Sequence, residues 1–84
     1  MNGLTARLRQ VAAQIPAGAT VLDVGCSDGR LLAHLRDAKQ VDGRGIELDP
    51  ARVAAAVGRG LSVVQGDATS DLAVFPDQSV DYAV

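Results

Sequence analysis

The sequence is poor in aromatic residues and in cysteine, and both shortages limit the kind of protein it encodes. Its 84 residues include one Phe, one Tyr and no Trp, and Cys26 is the single cysteine. One cysteine excludes an internal disulfide and favours a reducing compartment, so we expect a cytoplasmic protein. The hydrophobic residues, 48% of the chain, are almost all aliphatic. That fraction argues against intrinsic disorder.

Long apolar runs and an excess of positive charge are also missing. No run approaches the ~18 apolar residues of a membrane span, and the chain does not open like a signal peptide. Eight Lys and Arg stand against ten Asp and Glu, for a net charge of −2. The basic residues are scattered, which argues against a nucleic-acid partner. The length allows one domain at most.

The spacing of apolar residues predicts alternating helices and strands. Strands that alternate with helices of about ten residues indicate βαβ units and a parallel sheet. Right-handed crossovers place consecutive strands side by side. The predicted elements are a helix over 4–15, a strand over 20–24, a helix from residue 30, a strand over 45–48, a helix from Pro50 to Gly58 or Gly60, and strands over 61–65 and 79–84.

Acidic residues and glycines follow three of these strands. The loop 25–29 follows the first strand, Glu47 ends the second, and Asp67 follows the third. Ligands of open parallel sheets bind just outside the carboxyl ends of the strands. Asp23, Glu47 and Asp67 are therefore predicted to converge on one cleft. The two glycines of the loop suit a sharp turn and a close approach of backbone to a ligand.

The loop chemistry favours a cationic nucleoside ligand. Glu47 follows the loop by about 20 residues, the spacing typical of a ribose-binding carboxylate. The loop reads Gly-x-Ser-x-Gly rather than the dinucleotide fingerprint, and Asp23 and Asp28 would repel a pyrophosphate. An adenosine that carries a sulfonium and an α-amino group fits better, and S-adenosylmethionine is that ligand. A nicotinamide dinucleotide module remains as a weaker alternative.

Four short motifs in order carry a family resemblance. Residues 21–29 (VLDVGCSDG) resemble the first motif of class I S-adenosylmethionine-dependent methyltransferases, and residues 45–50 (GIELDP) resemble the second. Residues 66–68 (GDA) and 75–82 (FPDQSVDY) resemble the third motif and the approach to the fourth strand. Within that superfamily the chain is most similar to the MetW family of methionine biosynthesis. The resemblance implies an α/β, Rossmann-like three-layer sandwich with a parallel sheet in the order 3-2-1-4.

The resemblance also implies S-adenosylmethionine as cofactor and a role for each matching residue. Asp23 would face the methionine part, Glu47 would hold the ribose hydroxyls, Leu48 would pack on the adenine, and Asp67 would bind its exocyclic amine. Ser27 stands where the family usually has the middle glycine of the loop. Its small side chain is expected to be tolerated there, at the cost of a narrower cofactor pocket or weaker cofactor binding. The implied cofactor-binding residues are Asp23, Gly25, Cys26, Ser27, Gly29, Glu47, Leu48, Asp67 and Ala68.

Several other polar residues have structural interpretations. Asp28 either caps the second helix or touches the ligand, and the sequence does not separate these alternatives. Asp49 is expected to cap the third helix, Asp81 to bond nearby backbone, and His34 to lie at the surface. Cys26 is expected to be a small buried loop residue. We identify no catalytic base and no metal site.

Three functional interpretations remain open. The protein is a methyltransferase-like protein of methionine biosynthesis, a non-catalytic activating partner of homoserine O-acyltransferase, or an inactive truncated fragment. Members of the methyltransferase superfamily resemble one another in a seven-stranded sheet, whereas this chain reaches the fourth strand. Residues 1–84 would then be the N-terminal, cofactor-binding part of a single domain. An exposed fourth strand invites self-association.

Overall fold

The computed structural model of the chain describes residues 5–67 and 81–83. All strands within these ranges belong to one parallel sheet in the order β3-β2-β1-β4. The α/β class and the predicted strand order are confirmed. The elements are α1 Ala6–Ala13, β1 Thr20–Val24, α2 Arg30–Lys39, β2 Asp42–Glu47, α3 Pro50–Gly58, β3 Ser62–Gln65 and β4 Tyr82–Ala83.

The predicted element boundaries are mostly correct, and the exceptions have local causes. β1 and the start of α2 match the prediction. α1 begins later than predicted because Thr5 caps it, with Oγ1 accepting a hydrogen bond from the Leu8 amide at 3.2 Å. β2 begins at Asp42 rather than at Gly45 and ends before Leu48. Its early part was missed because glycine is rare in strands.

The glycines of β2 allow α2 to pack closely on the sheet. A Cβ added to Gly43 would lie 2.7 Å from Leu32 Cδ2, and one added to Gly45 would lie 2.6 Å from Cys26 Sγ. Leu32 is 1% exposed and lies at the centre of this contact. Because these glycines have no side chains, α2 and the loop that precedes it can approach β2 closely.

The described helices cover one face of the sheet. The chain passes from β1 to β2 to β3 in one direction, so right-handed crossovers place α2 and α3 on the same side. α1 packs against α2 on that side. The described residues thus show two of the three predicted layers, and the second helical layer is not represented among them. The core comprises Ala12, Ile15, Ala19, Val21, Cys26, Leu31, Leu32, Leu35, Val41, Ala56, Leu61 and Val63.

The spacing of Val53, Ala54 and Val57 predicts that these residues form the apolar face of α3, and the structure shows that this prediction is partly wrong. Val53 packs against the core as predicted, but Ala56 is the fully buried residue and Val57 is 53% exposed. Ala56 lies against Gly29, where a Cβ on the glycine would be 3.1 Å from that of Ala56. Only a small side chain fits this contact, so the buried face of α3 turns toward alanine and away from the larger Val57.

A lysine holds α1 in place. Lys39 Nζ, at the end of α2, donates hydrogen bonds to the carbonyl oxygens of Ala12 and Ile15, both at 2.6 Å. These carbonyls lie at the end of α1, where helical carbonyls lack partners within the helix. The positive charge of Lys39 also interacts favourably with the negative end of the α1 dipole. The contact fixes α1 beside the carboxyl end of α2.

β4 lies at one edge of the described sheet. The Asp81 amide donates to the Thr20 carbonyl at 2.7 Å, and Asp81 Oδ2 accepts from the Thr20 amide at 2.9 Å. The expected bonding of Asp81 to backbone is confirmed. Self-association through this strand stays a prediction. No helix within the described ranges is long and apolar enough to cross a bilayer.

Gly45→Ala tests the close approach of α2 to β2. The new Cβ would lie 2.6 Å from Cys26 Sγ and 3.2 Å from Leu32 Cδ1. Overpacking of this kind costs about 1–3 kcal/mol of unfolding free energy. Gly58→Ala is the matched control, because its Cβ would meet no atom within 4 Å and alanine favours helix. Urea denaturation of both variants measures the difference, and equal stabilities would contradict the packing described here.

Candidate functional site

Three strands deliver polar residues to the carboxyl edge of the sheet, as predicted. Glu47 and Asp67 line a cleft of about 260 Å³ together with Leu48. Asp23 lines a second cleft of about 320 Å³, with Ser27 and Arg30. Gly25 lines both clefts. The three acids were predicted to converge on one cleft; they lie along two adjoining clefts that share Gly25 in their walls.

The loop 25–29 turns through three left-handed residues. Gly25, Ser27 and Gly29 have φ angles of 72°, 57° and 82°. A Cβ on Gly29 would collide with the side chain of Leu61, whereas a Cβ on Gly25 would meet no atom within 4 Å in the part of the chain that the structure describes. Gly29 is therefore required for packing between loop and core. Gly25 instead leaves open space between the two clefts.

Ser27 adopts the left-handed backbone conformation although its side chain makes that conformation less favourable than it is for glycine. A non-glycine residue in the left-handed region costs roughly 1–2 kcal/mol. The Ser27 amide donates to Glu47 Oε1 at 2.7 Å, and this contact offsets part of that cost. Ser27 is half-buried and lines the cleft of Asp23. The replacement of the family's middle glycine therefore keeps the backbone of the loop and adds a hydroxyl group to the cleft wall.

Glu47 joins two loops through its carboxylate. Oε1 accepts from the Ser27 amide, and Oε2 accepts from the Asp49 amide at 2.9 Å. These bonds, the one from Asp49 first, lower the pKa of Glu47 although its burial acts to raise it. A carboxylate has about four acceptor sites, so two bonds leave capacity for a ligand. The motif did not reveal this structural role.

Asp23 lies in a less favourable environment. Its residue is 7% exposed, and no described residue donates a hydrogen bond to its carboxylate. Burial, and then the charge of Glu47, raise the pKa of Asp23 to about 6. Ionised Asp23 therefore carries a poorly compensated negative charge into its cleft.

Asp28 is held by two arginines at the start of α2. Its Oδ2 lies 3.0 Å from Arg30 Nη2 and 3.6 Å from Arg59 Nη2, and its Oδ1 accepts from the Arg30 amide at 3.3 Å. The side-chain hydrogen bond from Arg30 is the largest of the effects that lower the pKa of Asp28. Asp28 thus binds the start of the helix. Neither arginine was singled out from the sequence, because nothing in the motif marks them.

The remaining predicted residues are placed as follows. Cys26 is 5% exposed, as expected of a buried loop residue; burial raises its thiol pKa to about 11. Asp49 caps α3, with Oδ1 accepting from the Ala51 amide at 2.9 Å. His34 is half-buried on α2, away from the strand ends. Leu48 is 66% exposed. Ala68 lies outside the described residues.

Comparison with known proteins identifies the family. The family model described as "Methionine biosynthesis protein MetW" matches residues 5–84. The chain belongs to the MetW family. A Rhodopirellula baltica protein, "Bifunctional methionine biosynthesis protein MetXA/MetW", is 36% identical in an alignment 78 positions long, and the match covers 83% of this chain and 12% of that protein.

Solved structures confirm the methyltransferase-like fold of this MetW family member. An S-adenosylmethionine-dependent methyltransferase from Thiobacillus denitrificans, in complex with S-adenosyl-L-homocysteine, is 26% identical with a TM-score of 0.77, over 99% of this chain and 36% of that one. Another from Archaeoglobus fulgidus is 28% identical with a TM-score of 0.78, over 93% of this chain and 34% of that one. The chain thus spans about a third of these structures.

The raised pKa of Asp23 predicts a pH-dependent effect of Asp23→Asn. A folded pKa of about 6 against an unfolded value near 3.9 means that the native state binds more protons between these pH values. The contribution of Asp23 to wild-type stability should therefore fall as pH rises from about 4 to about 6. Asparagine at position 23 does not ionise, so it avoids this loss of stability. Asp23→Asn should stabilise the protein at pH 7.5 by up to about 3 kcal/mol, and the gain should shrink toward pH 4.5.

Urea denaturation at both pH values measures this difference. The exposed Asp42, whose side chain is 64% accessible, supplies the control variant Asp42→Asn. The control should change stability little at either pH. A gain for Asp23→Asn that is the same at both pH values would contradict the burial and charge coupling of Asp23.

Proposed function

We propose that the protein binds S-adenosylmethionine across the two adjoining clefts, as a methyltransferase-like protein of methionine biosynthesis. The observation that carries this proposal is the open space at Gly25, where no atom of the described residues lies within 4 Å of the position of a Cβ. An elongated ligand can cross the loop there and occupy both clefts. Residues 1–84 would then form the cofactor-binding part of a single methyltransferase-like domain.

The cleft of Glu47 suits the adenosine part. The two hydrogen bonds to backbone orient the Glu47 carboxylate, and its remaining lone pairs would accept from the ribose hydroxyls. Leu48 presents an exposed apolar side chain in the same cleft and would pack on the adenine. Asp67 would accept from its exocyclic amine. Ala68 belongs to this set through the motif resemblance.

The cleft of Asp23 suits the charged part. A sulfonium or ammonium group near Asp23 would compensate a carboxylate that is 7% exposed. The backbone of Gly25 to Gly29, with Cys26 and Ser27, would line the path between the two parts. When bound, the cofactor supplies an electrophilic methyl group. The residues of this chain would contribute its position and orientation, which are worth up to ~7–11 kcal/mol in ideal geometry.

We also propose, as a second function, that the protein acts as an activating partner of homoserine O-acyltransferase. The name of the Rhodopirellula baltica relative joins MetXA and MetW and calls the protein bifunctional, which indicates that a MetXA part and a MetW part share one polypeptide. Proteins joined in one chain in one organism often associate as separate chains in another. This function requires no methyl transfer, so the two proposals are tested separately.

Isothermal titration calorimetry tests cofactor binding, with protein produced from its complete reading frame. We expect binding of S-adenosylmethionine and S-adenosylhomocysteine and none of NADH. Glu47→Gln should weaken both by at least about tenfold, because hydrogen bonds to a charged group contribute roughly 1.5–3 kcal/mol. Asp42→Asn, away from the clefts, should bind normally. The absence of binding by the wild-type protein would reject the proposal.

Co-expression with a homoserine O-acyltransferase from the same genome tests the second function. We expect the two proteins to elute together from a sizing column and the acyl-transfer rate to rise when the complex forms. Acyl-transfer rates of the complex with and without added S-adenosylmethionine show whether activation needs the bound cofactor. Separate elution together with an unchanged rate would reject the partnership.

A further inference from the structure

β3 forms one edge of the sheet, and no strand of the described residues pairs with its outer side. Its pairing with β2 determines which backbone groups point outward. The Gly66 amide donates to the Glu47 carbonyl of β2 at 3.0 Å, and successive residues of a strand direct their amides and carbonyls to opposite sides. Val64 therefore directs its backbone groups toward β2, whereas the amides and carbonyls of Val63 and Gln65 point away from the sheet.

We propose that two copies of this chain pair through β3, with the strands antiparallel about a two-fold axis at Val64. In this arrangement Val63 of each copy lies opposite Gln65 of the other. Two residues that face each other in this way exchange two backbone hydrogen bonds. The outward amides and carbonyls of both strands thus all find partners, and the two sheets become one continuous sheet. An interface of this kind is self-complementary, as a two-fold dimer requires.

The side chains of β3 leave this edge open to a second strand. Natural proteins protect exposed edges with charged residues or proline, and the four residues Ser62–Gln65 include neither. Val64 is 48% exposed, on the face opposite Val63, which packs in the core. The Cβ atoms of directly opposed residues lie about 4.5–5.5 Å apart. Val64 would therefore contact its own counterpart across the axis, and the pair would remove apolar surface from water.

α3 lies beside this edge and presents a surface that a second copy can approach. It packs against β3, on the face of the sheet that carries the core. The two-fold axis is perpendicular to the sheet, so the α3 helices of both copies would lie on the same face. Ala54 and Ala55 are exposed and short, and Val57 is 53% exposed. Four-residue strands alone form a small contact beside the ~1,200–2,000 Å² of standard interfaces, and α3 supplies further apolar surface.

The opposite edge of the described sheet matches a second copy less well. β4 comprises the two residues Tyr82–Ala83. Because backbone groups alternate in direction along a strand, the outer side of two residues presents the amide and carbonyl of only one of them. β3 offers twice as many outward groups, in a register that a two-fold axis satisfies.

Disulfide trapping tests this register, with protein produced from its complete reading frame. The Cα atoms of opposed Val64 residues would lie about 4.5 Å apart, which a disulfide can span. Val64→Cys should therefore form a covalent dimer under mild oxidation at micromolar concentration. Ser62→Cys is the matched control, because its two copies would be roughly 13–14 Å apart along the strands, and it should stay uncrosslinked. Cys26 is buried and should not compete.

Charge substitutions at the same position provide a test without a covalent bond. Light scattering after size exclusion should give the wild type twice the monomer mass. Val64→Lys and Val64→Glu should each be monomeric, because like charges directly opposite each other are destabilising. An equimolar mixture of the two variants should recover the dimer, since opposite charges then face each other. Tyr82→Lys, at a 41% exposed position on β4, should remain dimeric.

The contrary outcomes are equally specific. A monomeric wild type at micromolar concentration, or equal crosslinking of Val64→Cys and Ser62→Cys, would overturn pairing through β3. Loss of the dimer in Tyr82→Lys but not in Val64→Lys would overturn it in favour of β4. The crosslinking pair keeps the test decisive if a charged variant fails to fold, which its thermal midpoint reveals. None of these measurements depends on a bound cofactor, so their result is separate from that of the proposed function.

Discussion

The Glu47 carboxylate is the contact on which the carboxyl edge of the sheet depends. One oxygen binds the Ser27 amide in the loop after β1, and the other binds the Asp49 amide at the start of α3. Hydrogen bonds to a charged group contribute roughly 1.5–3 kcal/mol each. One side chain thus fixes two loops relative to each other, and the loop after β1 contributes to the walls of both candidate clefts. Its role in the fold precedes any role in binding a ribose.

Glu47 and Asp23 have different electrostatic roles in the site, and the charge of Glu47 is one cause of the difference. Glu47 is satisfied by backbone amides, which lower its pKa, so it is ionised over the whole physiological range. Asp23 is buried, and the charge of Glu47 adds to the effect of burial in raising its pKa to about 6. The first acid therefore holds the structure in a fixed arrangement. The second has electrostatic capacity for a cation.

Much of the fold and part of the site could be predicted from local pattern. β1, the starts of α2 and α3, and the order of the strands follow from apolar spacing, from the Asp49-Pro50 cap and from right-handed crossovers. The early part of β2 could not, because its glycines lower strand propensity and their reason lies in Leu32 on another element. The buried face of α3 was missed for the same kind of reason: Ala56 is selected by its contact with Gly29.

By itself the sequence determined the α/β class, the family and the identity of the acids at the strand ends, because these depend on residue type and spacing along the chain. Only the tertiary structure decided that Gly25 separates two clefts, that Glu47 holds Ser27 and Asp49, and that Asp28 binds Arg30 and Arg59. These contacts join residues from separate loops and helices, and their distances depend on how closely α2 and α3 pack on β2. Gly29, Gly43, Gly45 and Ala56 allow this close packing because larger side chains at these positions would collide with neighbouring atoms.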